Sequence, residues 1–203
     1  MLLLVTVPYD QAVRFQAITQ LKSKKNSIAM KHYDYQKTLE LVWRKAVDLY
    51  QTGNRDSATY FDEVELEFLT SIGANAQEIF DFAEDFVDGG EPDFTTVAMI
   101  HDVRRAYLRE QQNGTASSAM LDPNSLPPKD SEAEGIRWLP RIIPKAKAKL
   151  RGELHPDVMY SCGGDRHFLK TNDIHAAEFL RVVWENEDND QAIIDWVAKR
   201  VNG

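Results

Sequence analysis

A chain of 203 residues, 43% hydrophobic and 28% charged, is long enough for one ordinary domain or two small helical ones, and this composition excludes a disordered chain. Its 32 Asp and Glu against 24 Lys and Arg give a net charge of −8, which argues against general affinity for nucleic acid or for an anionic membrane. The lone cysteine, Cys162, cannot close an internal disulfide, so no oxidising compartment is needed and the expected location is the cytoplasm.

The apolar run from Met1 to Val5 is too short for a membrane span, lacks a basic lead and soon meets Pro8, which makes a poor signal peptide. Residues 1–29 carry a separate, basic composition (Arg14, Lys22, Lys24, Lys25) and no regular helical pattern. They are expected to be an over-called start or a loose extension, translation naturally beginning at Met30. From there the periodicity is helical. Leu39, Val42, Trp43, Ala46 and Tyr50 form one stripe, with Asp34 as N-cap and Gly53 as stop. A second helix is predicted over 62–72, ended by Gly73, and a third from the cap Asn75 through Ile79, Phe80, Ala83, Phe86 and Val87 to Gly89 and Gly90. A fourth, over about 93–111, has apolar residues on most sides, the mark of a buried helix.

Residues 113–131 turn to Gly, Ser, Asn and Pro and are read as a linker. Shorter helices are predicted beyond it: 139–151, a piece around Phe168, 175–184, and 190–200. Period-2 alternation is absent after residue 30. The expected fold is therefore all-α: an acidic helical half over 30–112 and a helical C-terminal domain over 132–203, joined by the Pro/Ser/Asn-rich loop, with no substantial sheet.

Charge is sorted along the chain. Residues 57–103 hold twelve Asp or Glu and no Lys or Arg, whereas residues 135–152 hold six Lys or Arg and no acid. Either block alone repels itself, so the two face each other or are aimed at outside partners. In the basic helix, Leu139, Ile142, Ile143, Ala146 and Leu150 share one face. Arg141, Lys145 and Lys149 run beside it, and Lys147 and Arg151 take the other flank. Pro140 suits the first turn, but Pro144 stands where a backbone N–H is wanted, so the helix starts late or bends there. The cations have three readings: a solvated face, docking against the acidic helices at 62–88, or an anion site in which Arg137 and Arg141 grip a phosphate or carboxylate.

Several positions in this region together resemble one family. Gly135, Arg137, Trp138, Pro140, Arg141, Lys145, Leu150 and Gly152, then Asp165, Arg166, Phe168, Leu169, Phe179, Trp196 and Val197, are similar to a bacterial domain-of-unknown-function family, number 5069. The resemblance covers about 133–200; Pro144 departs from its expected acidic residue. It implies a compact, mainly helical bacterial domain and implies no reaction.

Two constellations could carry chemistry. His101 and Asp102 look superficially like a metal-binding dipeptide of helical phosphohydrolases, but such a site needs further ligands. His32, His155, His167 and His175 have no suitable spacing, and Arg104 and Arg105 follow directly. A packed core histidine is the simpler reading. The loop over 160–167 crowds Tyr160, Cys162, Gly163, Gly164, Asp165, Arg166 and His167 together. Its glycines could form an anion nest, and Cys162 could serve as a nucleophile if Arg166 or His167 activated it. The simpler readings are a turn and a small buried thiol. No phosphate-cradling Gly-rich loop, calcium loop or Cys-rich zinc spacing is present, so neither metal nor cofactor is expected.

The favoured reading is a non-enzymatic binding or interaction module for an anionic small molecule or an acidic protein surface. Its expected site is the groove between the basic helix and the 160–167 loop, formed by Arg137, Arg141, Lys145, Tyr160, Gly163, Gly164, Asp165 and Arg166. The alternative is a small enzyme using His101 and Asp102 with a metal, or Cys162.

Overall fold

The computed structural model describes residues 32–202. The extension at 1–29 and the alternative start at Met30 lie outside the described residues. Within them stand eight α-helices and one two-residue hairpin, a predominantly α architecture as the periodicity predicts.

Most of the predicted start and stop signals work as local chemistry. Asp34 holds the N-cap position of α1 (Tyr35–Gln51), but its carboxylate pairs with Lys37 at 2.9 Å and does not cap the helix. At α2 (Glu63–Ser71), Asp62 accepts from the Glu65 backbone N–H while the Glu65 carboxylate accepts from the Asp62 N–H, a reciprocal capping box. Asn75 caps α3 (Ala76–Gly89) and Asp93 caps α4 (Phe94–Glu110). The second half contains α5 (Leu139–Arg151), α6 (Gly163–Thr171), α7 (Ala176–Glu185) and α8 (Asp190–Asn202).

A hairpin leads into α5. Strand β1 (Glu132–Ala133) pairs antiparallel with β2 (Ile136–Arg137), in the register Glu132 to Arg137 and Ala133 to Ile136. The turn residues Glu134 and Gly135 have φ of 52° and 76°, the positive values that a tight hairpin turn needs. Trp138 then also takes a left-handed conformation and ends the hairpin. Both Arg141 N and Ile142 N donate to Trp138 O, so α5 starts at Leu139 and runs unbroken through Pro144. Only the bond that residue 144 would have sent back to the Pro140 carbonyl is forgone.

The core is continuous across both halves. In the first, α1 packs on α3; in the second, α7 packs on α5 and α8. Between them lies α4, which meets α1, α5 and α7. That position explains its apolar residues on most sides: Val97, Ile100, Val103, Tyr107 and Leu108 are all buried, along with His101 and Arg104. The segment at 113–131 is fastened to the C-terminal half: Leu126 is buried, and Leu121 N donates to Glu153 O at 2.8 Å.

Candidate functional site

The 160–167 segment meets the basic helix through one carboxylate. Asp165, in the first turn of α6, is fully buried. It accepts from Trp138 Nε1 at 2.9 Å, Lys145 Nζ at 2.6 Å and the Ser161 backbone N–H at 2.9 Å. Lys145 Nζ also lies 3.3 Å from Cys162 Sγ. A buried carboxylate with three donors, one of them an ammonium, is satisfied in both charge and hydrogen bonding. Lys145 and Asp165 therefore hold α5 to α6, and neither is offered to a ligand.

Four other cations of the basic block are also engaged. Arg141 Nη1 donates to Pro127 O at 2.6 Å, where a bidentate grip on an anion was the expectation. Lys147 pairs with Asp190 at 2.5 Å, Arg151 with Glu187 at 2.5 Å, and Lys149 with Glu78. Arg137 is exposed on β2. Of these pairs only that of Lys149 and Glu78 reaches the acidic block; the others use acids of the same half. Burial of Lys145 and Lys149 also departs from a solvated margin, since only 4% and 1% of their surfaces are exposed.

The two glycines play a packing role. Both lie in the first turn of α6, which therefore begins earlier than the piece predicted around Phe168. A Cβ on Gly164 would stand 2.5 Å from Trp138 Cζ2, so the indole lies directly on this residue. Gly164→Ala is expected to cost about 1–3 kcal/mol through overpacking, read as a lower thermal midpoint. A variant melting with the wild type would show that the indole can move aside freely. Tyr160 is buried and donates to Ala176 O at 2.7 Å; burial first, then Asp165, pushes its hydroxyl well above the ordinary value, so it stays a donor.

Arg166 points elsewhere. Its Nη1 donates to Asp85 of α3 at 2.7 Å and to Ser161 O at 2.6 Å, while its Nε lies 3.8 Å from Glu91. Here a cleft of about 320 Å³ opens between the α3–α4 turn and α6, with Leu169, Ile174 and Ala176 as apolar wall and Arg166, Lys170, Ser161, Glu91 and Asp93 in its polar lining. Ser161 has φ of 65°, is fully buried, and its hydroxyl has no partner. A left-handed serine with an unsatisfied buried hydroxyl costs free energy twice over, and such costs cluster at functional sites.

The two enzymatic constellations come apart in space. His101 is fully buried with Nδ1 at 2.9 Å from Val97 O and Nε2 at 3.8 Å from Glu78. Burial, then the nearby charge of Lys149, keeps its pKa below the usual histidine value. Asp102, one step round the helix, instead accepts from Tyr35 and Arg181. Among the described residues no group of three His, Cys, Asp or Glu is placed to hold a metal ion. Cys162 has Lys145, and not Arg166 or His167, as its polar neighbour.

Fold and site together define a predominantly helical domain whose buried ion pairs stitch α5 to its neighbours. Residues 127–202 match the model of the family described as domain of unknown function (DUF5069), which takes in the hairpin and α5 through α8 and leaves α1 to α4 outside. Comparison with curated proteins and with solved structures gives no match. Among the described residues no helix is long and apolar enough to cross a membrane.

Proposed function

We propose that the chain is a non-enzymatic binding module of a bacterial cytoplasm, taking a small molecule with an anionic group in the cleft beside Arg166 and Lys170. The observation that carries this reading is Ser161, a lining residue of that cleft held in a left-handed backbone, whose buried hydroxyl has no protein partner. Lys170 is the more exposed of the two cations. Its pair with Glu91 is largely exposed, at 61% and 45% of the two side-chain surfaces, and pairs of that kind contribute little. A ligand carboxylate or phosphate can replace Glu91 at Lys170 while its body lies on Leu169 and Ile174. The resemblance noted in the sequence is what suggests a bacterial setting, and the single cysteine agrees with a reducing compartment.

Thermal unfolding in a panel of nucleotides, sugar phosphates and organic acids with an apolar body, all larger than acetate or inorganic phosphate, tests this reading. A ligand at 100 times its Kd adds about 2.7 kcal/mol, an easily measured shift. Ser161→Gly is the deciding variant, because glycine accepts the positive φ while the hydroxyl is removed. The expected result is an intact fold with the ligand response weakened at least tenfold. A panel without any response, or a response unchanged in S161G, would refute the cleft as the site.

A further inference from the structure

A second place in the fold has unspent donor capacity, and it lies deeper than the cleft. Arg104 of α4 is fully buried, yet no carboxylate bonds to it. Its Nε donates to Gly73 O at 3.1 Å, just past the end of α2, and its Nη1 to Leu150 O at 2.8 Å, in the last turn of α5. Gln112 accepts from the same Nη1 at 2.7 Å and donates to Arg151 O at 2.9 Å. The final carbonyls of a helix lack intrahelical donors and form its negative pole. One guanidinium thus closes two helix ends, one from each half of the molecule. Close approach requires glycine at both: a Cβ on Gly73 would lie 2.8 Å from Arg104 Nε, and one on Gly152 would lie 2.7 Å from Nη2.

Those carbonyls use Nε and Nη1 and leave Nη2 with no partner. Arg104 lines a partly open pocket of about 130 Å³, with Lys149, Glu78 and Leu154 on its inner wall and Thr70, Asn75 and Ala116 at exposed positions of its lining. Two of these side chains are cations and one is a carboxylate, so the lining itself carries one more positive than negative charge, with Glu153 beside Gly152 the next carboxylate whose field reaches Arg104. Lys149 and Glu78 are paired with each other. Asn75 is the N-cap of α3 and brings that helix's positive pole to the wall. Uncompensated charge away from water is costly, and a water molecule could satisfy the hydrogen bond of Nη2 but not the charge.

We propose that this cavity binds a small monoanionic oxyanion, a carboxylate or a singly charged phosphate, held by Arg104 Nη2 and Lys149 Nζ. The volume suits a ligand of a few heavy atoms, since a water's share of liquid volume is about 30 Å³. One negative charge balances the lining; two would overshoot it. The wall joins the α2–α3 turn of the first half to the end of α5 in the second, so the bound anion ties the halves together.

The test uses the full chain, dialysed into a buffer without small oxyanions, then titrated with formate, acetate, phosphate below pH 6, or sulfate. Sodium chloride at matched ionic strength is the control, and the readout is the thermal midpoint. A saturable rise with formate or acetate assigns a carboxylate; one with phosphate alone assigns the phosphate. Arg104→Lys keeps the charge and removes the free Nη2, and should weaken the response at least tenfold. Because R104K also loses the two helix-end bonds, Ala116→Phe is the second variant. It starts from an exposed position on the cavity wall, leaves the Arg104 contacts intact, and should abolish the response at an unchanged basal midpoint. Midpoints that merely follow ionic strength, a full response in A116F, or tighter binding of sulfate than of any monoanion would overturn the proposal. S161G should respond to these anions as the wild type does, which separates this site from the cleft.

Discussion

Glu78→Gln is expected to lower stability by about 3–5 kcal/mol, because it leaves the Lys149 ammonium buried without its counter-charge. Lys149 is 1% exposed, and among the described residues its carboxylate contact is Glu78. Urea unfolding at neutral pH reads the loss directly. Taking out both charges should behave differently: in Glu78→Leu with Lys149→Met most of the loss should return, since well-packed apolar groups commonly equal or exceed a buried ion pair in stability. A double variant as unstable as E78Q would mean that the pair has a role beyond charge balance. The pH dependence has a definite sign. Burial opposes ionisation of Glu78, but Lys149 and then His101 outweigh it and hold the carboxyl at about 2, against an ordinary 4.5. With the folded value below the unfolded one, the pair's stabilisation is present above about pH 4.5 and is lost as pH falls through 2. Wild type should therefore lose more stability than E78Q across that interval.

Asp165→Asn is expected to have a comparable effect, about 3–5 kcal/mol, for a related reason. Lys145 would remain buried without a carboxylate, and an amide cannot serve Trp138, Lys145 and the Ser161 N–H equally well. The loss should extend to the cleft, because Asp165 positions the Ser161 backbone, so any response of the cleft ligand should fall as well. Lys145→Met added to D165N should restore part of the stability. Lys147→Ala is the contrast: its partner Asp190 is 57% exposed, and the cost should be under about 1 kcal/mol. Equal losses for D165N and K147A would show that Asp165 is not the centre of the α5–α6 contact.

How far the sequence could be read depended on the range of each interaction. Asp62, Asn75 and Asp93 cap helices within three residues of themselves, so their roles could be seen locally. Arg141, Lys145 and Lys149 have the same spacing whether a helix margin is wet or dry. The burial of the two lysines depends on Asp165 and Glu78, 20 and 71 residues away respectively, and no periodicity reports that. Arg104 was harder still. Its partners are backbone carbonyls 31 and 46 residues away, and a carbonyl has no residue identity to recognise. The available hint was two glycines, Gly73 and Gly152, each ending a helix; their second duty, clearing space for a guanidinium, needs the assembled fold. The glycine pair at 163 and 164 looked like a ligand cradle because a nest and a helical first turn look alike in sequence, and Trp138 decides between them.

The placement of α4 has a consequence for what counts as a unit here. The family match starts at residue 127, yet the faces of α5 and α7 within it close against a helix encoded before residue 111. A cut at that boundary would strip the floor from beneath the matched segment and expose residues that are otherwise dry. In this chain the stretch matched by the family and the stretch sharing one continuous core differ in length, and the shared core is the longer.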